Sequence, residues 1–441
     1  MRTLVVFVLT ISCLTTFAQK SLLQSGPMLG YSEMREVLLW AQTTEAADVQ
    51  FAYWPVGDKD FEERTETYRT SKAEVFTAKL VADKVEPGLT YEYELRINDK
   101  AVKLDYPTVF QTQELWQWRK DPPTFTMALG SCSYVNEPVY DRPGDGYGGD
   151  YQIFTAIHER HPDAMLWLGD NVYLREVDWF SRTGIMARYT HTRSLEEMQP
   201  LLASTHHYAI WDDHDYGPND SDRSYIHKHT TLEAFRRFWG NPTYGLNGDA
   251  SGITTAFQWA DMDFFLLDNR FFRRPNRRSS GEPVYFGEDQ LEWLIDALAN
   301  SRAPFKFVAT GGQILNTEAL YENYVNLAPE ERAYLLGRIE EEDIKGVIFL
   351  TGDRHHTELS SYVNGRGNVV YDLTVSPLTS GAGSNRDGEN NAARHDGTLV
   401  LQRNFGLLTV SGPFRKREML IQIFDTEGEE LWQERIEQPK Y

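Results

Sequence analysis

The chain has 441 residues, 41% hydrophobic and 13% aromatic, with a formal net charge of −21 at pH 7. This composition excludes a disordered chain, and the length predicts two domains. The acidic balance excludes nonspecific nucleic-acid binding, which needs a basic surface to meet phosphates.

Residues 1–18, MRTLVVFVLTISCLTTFA, carry one Arg, a short apolar stretch and a small-residue end. They read as a secretory signal peptide cleaved near Ala18. The apolar run is too short to span a bilayer, and no later segment is apolar enough. The mature protein is therefore expected to be exported, periplasmic or secreted, without an integral membrane segment. Cleavage would remove Cys13 and leave Cys132 with no internal disulfide partner.

From 26 to 113 the apolar pattern has a period of two. Tyr91, Tyr93, Leu95 and Ile97 share one face, and Glu92, Glu94 and Arg96 the other. This predicts an N-terminal β-sandwich over 19–117. WRKDPP at 118–123 reads as a linker. From 124 to 441 apolar strands are expected at 125–129, 164–168, 207–211, 263–267, 305–310, 346–350 and 369–375. Helical stretches lie between, as at 288–301 and at 329–343, the latter opened by Pro329. Continuous apolar strands separated by helices predict an α/β core covered on both faces. The aromatic-rich 232–245 reads as helix packed into the core, and the polar 383–397 as a long surface loop.

The chemistry lies where these strands end. Five run, with little or no spacer, into Gly130-Ser131-Cys132, Gly169-Asp170-Asn171-Val172-Tyr173, Asp212-Asp213-His214-Asp215, Gly311-Gly312-Gln313 and Gly352-Asp353-Arg354-His355-His356. Sites in α/β sheets gather beyond the carboxyl ends of strands. Four aspartates between 210 and 220 repel one another unless they face a cation. Taken as metal ligands, Cys132, Asp170, Tyr173, Asp213, Asp353 and His355 sum to five negative charges, which one trivalent and one divalent ion would cancel. Thiolate and phenolate suit ferric iron (Fe3+); carboxylate and amide oxygens suit calcium (Ca2+) or another divalent ion such as magnesium or manganese. Asp212 and Asp215 read equally well as caps of the turn after their strand.

The ordered set GSC (130–132), GDNVY (169–173), WDDHDYGPND (211–220), DNRFFR (268–273) and GDRHH (352–356) resembles the alkaline phosphatase D family, a branch of the metallophosphoesterase superfamily. The resemblance covers essentially the whole mature chain. It implies a two-layered β core flanked by helices, with iron and calcium between the central loops, in a catalytic domain spanning 124–441. It further implies Cys132, Tyr173 and His355 on iron, Asp170 bridging to the second metal, Asp213 and Asp353 on that metal, and Asn219 as an addition. His214 matches the histidine of the superfamily's Asn-His pair, close to the leaving group; Asp213 stands where the asparagine would. Many members have a histidine at the position of Gln313, which is therefore left out of the ligand set.

The expected protein is an exported metal-dependent hydrolase of small phosphoric esters, using a metal-bound hydroxide for in-line attack on phosphorus. His214 would serve the departing oxygen, and Arg270 and Arg354 would grip phosphate oxygens, unless each simply pairs with a nearby acid. A phosphodiesterase or phospholipase D-type activity is the alternative among enzymes. A non-catalytic metal- or phosphate-binding surface protein is the alternative of another class. His356 reads as a substrate contact or as support for its neighbour. RRPNRR (273–278) reads as a solvated basic face or a lure for anionic substrates. GDGYGG (144–149) satisfies G-x-G-x-x-G literally, but no strand leads into it, so no dinucleotide site is expected. No G-x-S-x-G or H-E-x-x-H occurs.

Overall fold

Short runs of uninterrupted apolar residues can be buried on both faces only inside a layered sheet, and the core is built that way. The structure is a computed structural model describing residues 22–246, 251–383 and 389–440. The signal-peptide reading, with Cys13, lies outside the described residues. Phe125–Gly130, Ala164–Leu168 and His206–Ile210 pair in parallel at the centre of a nine-stranded sheet. Phe405–Ser411, Glu418–Phe424 and Glu430–Glu437 extend it antiparallel on one side. A second, six-stranded sheet runs Thr255–Trp259, Met262–Leu266, Lys306–Thr310, Val347–Thr351, Val369–Thr374 and Glu358–Val363, with its four inner strands parallel.

The two sheets face each other across one apolar core. A file of stacked rings crosses it: Tyr208 on Phe257 with centroids 3.7 Å apart, Phe257 on Phe264 at 4.7 Å, and Phe264 on Phe307 at 4.7 Å. Gln152–Glu159 and Gln199–Ser204 bury their apolar residues in the same cluster as the first sheet. Glu288–Asn300 and Pro329–Glu341 cover the second through Leu291, Leu294, Leu335 and Ile339. The result is helix, sheet, sheet, helix. The helix Lys228–Phe238 buries Phe235 and Phe238 in the core, as its aromatic content predicted.

The N-terminal region is a sandwich with a shared wall. A smaller sheet led by Asp48–Pro55 and Thr90–Ile97 packs Phe51, Tyr53, Tyr91 and Tyr93 against Leu29, Leu39 and Leu80. Those partners sit on Leu23–Ser32, Val37–Thr43 and Thr77–Ala82, which are themselves the far edge of the nine-stranded sheet. The join is one parallel pairing, Leu29 with His206. The sandwich thus continues the nine-stranded sheet. Among the described residues no helix is long and apolar enough to cross a membrane.

In the described part of the expected surface loop at 383–397, Asn390, Ala392, Asp396 and Gly397 are exposed, but Glu389 and Asn391 are buried. Asn391 donates to Glu358 Oε1 and Ser360 Oγ, 2.8 and 2.9 Å away. The amide of Asn391 thus serves buried partners.

Candidate metal centre

Cys132, Asp170, Asp353 and His355 all adopt left-handed backbone, with φ of 58°, 52°, 64° and 54°. Non-glycine residues rarely do so, and such strain gathers at functional sites. Each follows closely on a parallel strand, so the backbone reverses sharply and aims the side chain over the sheet edge.

Cys132 Sγ lies 3.7 Å from Asp170 Oδ2 and accepts from Ser376 Oγ at 3.2 Å. Tyr173 donates to Asp170 Oδ2 at 3.3 Å, and its hydroxyl lies 3.3 Å from His355 Nε2. Ligand atoms of Cys132, Asp170 and His355 fall within 4.8 Å of one another. Asp170 belongs equally to a second such set with Asp213 and His214. The His214 ring stacks on Tyr173, centroids 4.3 Å apart. A third set joins Asp212, Asp213 and Glu322.

Asp353 enters no such set among the described residues, but it feels Asp212 and Glu322. Asn219 is exposed, and its amide bonds Asp220 at 2.9 Å; the Asp220 N–H, not Asn219, reaches Asp213, at 2.7 Å.

Electrostatics make this cluster untenable as a set of free anions. Burial pushes the Cys132 thiol up to about 12, with Asp353 adding to the rise. Burial, then Asp213 and Cys132, hold Asp170 well above the carboxylate range. Burial, then Cys132 and Asp170, do the same to the Tyr173 phenol. Burial, then Asp212 and Glu322, raise Asp353 to about 7. Asp213 goes the other way: burial opposes its charge, but His214, Arg270 and the Asp220 N–H hold it low. Asp212 Oδ2 and Asp213 Oδ1 are buried without a hydrogen-bond partner. A buried thiol and phenol, half-buried imidazoles and several carboxylates, with acceptor atoms unmet, are donors that fit multivalent cations.

Both arginines pair with acids, the alternative their sequence context left open. Arg270 is fully buried; its Nε donates to Asp212 Oδ1 and its Nη2 to Glu322 Oε2. Arg354 is 2% exposed and its Nη2 donates to both oxygens of Glu389, at 2.9 and 2.8 Å. Guanidiniums so committed tie together loops that are remote in sequence. The basic run is likewise divided: Arg273 is buried on Glu322, whereas Arg277 and Arg278 are exposed. His356 is buried, with Nε2 3.6 Å from Glu358. Gln313 donates to Glu358 and Thr374, away from the cluster. Asp215 accepts from the N–H groups of Asn171, Val172 and Asp212, at 3.0, 3.0 and 2.9 Å, pinning two strand-end loops together.

Glu322 and Ser376 were not anticipated. Both lie in irregular stretches that no local period marks.

The model for PhoD-like phosphatases matches residues 127–411, a span holding every motif above. The chain belongs to the PhoD-like phosphatase family. It is a phosphoric ester hydrolase by that membership, and the N-terminal 20–115 matches a domain of unknown function (DUF7800). Among solved structures, the fold is similar to that of PhoD, with a TM-score of 0.76 at 15% identity over 96% of this chain and 94% of that one. It is also similar to purple acid phosphatase PPD1 from seeds of yellow lupin (Lupinus luteus), with a TM-score of 0.67 at 11% identity over 93% of this chain and 74% of that one. No curated protein matches the chain.

Proposed function

We propose that this family member is an exported, metal-dependent hydrolase acting on small phosphoric esters by in-line displacement. The observation that carries the reading is the sharing of Asp170 between the Cys132–His355 set and the Asp213–His214 set. One carboxylate common to two donor sets is the arrangement a pair of adjacent cations requires. Cys132, Tyr173, His355 and Asp170 would hold ferric iron, their soft and phenolic donors favouring an oxidised transition metal. Asp170, Asp213 and Asp353 would hold calcium or another hard divalent ion. When bound, the ions supply Lewis acidity and an acidified water for attack on phosphorus.

The chain's own residues do the rest. Asp215 fixes the two loops that carry Asp170 and Asp213. Arg270 compensates Asp212 and Glu322, so the acidic floor of the site stays ordered. Burial lowers the basicity of His214, with Asp213 opposing and His355 reinforcing the effect, and its ring plane is set by Tyr173. It would donate to the departing ester oxygen. Export rests on the leader pattern of residues 1–18.

Elemental analysis of the purified protein tests the reading when joined to hydrolysis assays before and after chelation. Activity on p-nitrophenyl phosphate that disappears with the metal and returns with it is expected. Full activity in metal-free protein would overturn it. Comparison with bis(p-nitrophenyl) phosphate separates monoester from diester preference, and an N-terminus at Gln19 in secreted material checks export.

A further inference from the structure

The stretch GDGYGG (144–149) is not explained by nucleotide binding, since residues 142–150 form neither strand nor helix. It is nonetheless firmly held. Asn136 donates to the Gly148 carbonyl at 2.6 Å and accepts from its N–H at 2.9 Å. Arg403 bonds Asp150, the Tyr147 carbonyl and the Ser380 carbonyl at 2.6, 3.2 and 3.0 Å. A Cβ at Gly148 would lie 2.3 Å from the Tyr134 carbonyl oxygen, and one at Gly381 would lie 2.7 Å from the Tyr147 ring. The path that brings Tyr147 in is thus open only to glycine at both points.

Tyr147 arrives at the metal centre. Its ring stands edge-on to Tyr134 at 5.0 Å and to Tyr173 at 6.4 Å. Its hydroxyl lies 3.1 Å from His355 Nδ1, yet the residue remains 44% exposed. His355 Nδ1 is also 2.6 Å from the Gly381 carbonyl. A carbonyl can only accept, so Nδ1 carries the proton and Nε2 keeps its lone pair toward Tyr173. The Tyr147 oxygen is therefore a second acceptor of the same N–H, and it also lies near the Ser380 hydroxyl, so its own O–H proton is not spent on His355. Gly381 already fixes the imidazole, so holding His355 does not by itself account for a tyrosine here.

We propose that Tyr147 contacts the substrate: its phenol donates a hydrogen bond to an anionic oxygen of the bound phosphoric ester, and its ring walls one side of the entrance. Donation to a charged oxygen is among the stronger hydrogen bonds a neutral side chain makes. The inference rests on the phosphoric-ester reading above and adds a recognition residue to it.

The test uses full-length, metal-loaded Tyr147→Phe and Tyr147→Ala. The readouts are kcat and KM on p-nitrophenyl phosphate, calorimetric titration with inorganic phosphate, and metal content. In Y147F the KM and the phosphate Kd rise about 10-fold, with kcat and metal content unchanged. Y147A loses the wall as well and shows a larger rise in ester KM. Wild-type KM and Kd in Y147F would overturn the proposal, whatever Y147A does, because only ring packing would remain. A fall in metal content alongside weaker phosphate binding would overturn it too, placing Tyr147 in support of His355. If the wild type cleaves no phosphoric ester, the functional reading fails on its own, and the phosphate titration still decides Tyr147.

Discussion

Cys132 and Asp170 stand 3.7 Å apart, sulfur to carboxylate oxygen, both out of contact with solvent. Neither ionises readily beside the other, so a shared cation is what makes the pair stable as anions. Cys132→Ser removes the softest donor while keeping size and the neighbouring Ser376. Iron content and activity are expected to fall together, by at least about 10-fold. Elemental analysis beside the activity assay checks this. Unchanged values would return Cys132 to the packing residues.

Metal removal should also change how stability depends on pH. Burial is the main cause that raises Asp212, Asp215 and Asp353 to about 7 from an ordinary value of 3.8. Between those limits the folded metal-free chain binds more protons than the unfolded chain. The stability they confer is complete below about 4 and is lost as pH rises through about 7. Chelated protein should therefore melt lower at pH 8 than at pH 5.5, by on the order of 5 °C. Metal-loaded protein should show the opposite trend, because ions bind the deprotonated donors. Scanning calorimetry with and without chelator at the two pH values decides it.

The parallel strands were legible because burial on both faces leaves an unbroken apolar run, and the ligand-bearing turns follow within a few residues. Cys132, Asp170, Tyr173, Asp213 and His355 could be gathered on that ground alone. Glu322 could not, since it sits well past Thr310 in a loop without periodicity, and only the fold carries it to Arg270. The particular acids that hold the two arginines, Glu322 and Glu389, were hidden for the same reason, being remote in sequence. The shared wall of the N-terminal sandwich was equally hidden. Alternation predicts strands, but the pairing of Leu29 with His206 joins segments that local pattern does not relate.

Arg270→Ala would leave Asp212 and Glu322 buried and uncompensated. Removing one partner of a buried ion pair costs about 3–5 kcal/mol. Chemical denaturation of the variant should show a loss of that size, with phosphate affinity surviving in whatever fraction stays folded. Arg270→Met combined with Glu322→Gln should recover part of the stability, as a neutral pair of similar volume. Loss of phosphate binding in a fully stable R270A would instead restore Arg270 to substrate contact.

His214 has two possible employments, because its ring nitrogen lies within 4.8 Å of ligand atoms of both Asp170 and Asp213. A metal ligand and a donor to the leaving group are separated by what survives substitution. As a donor, His214→Gln should keep its ions and lose roughly 10²–10⁴-fold in kcat. The loss should be largest for an ester whose alcohol is a poor leaving group, such as phenyl phosphate. It should be smallest for p-nitrophenyl phosphate, whose departing phenolate needs little proton help. The bond from the backbone N–H of residue 214 to Asp170, at 3.2 Å, does not depend on the side chain and holds the main chain of the variant in place, so the comparison isolates the side chain. A loss equal for both esters and accompanied by depleted metal would assign His214 to the ions.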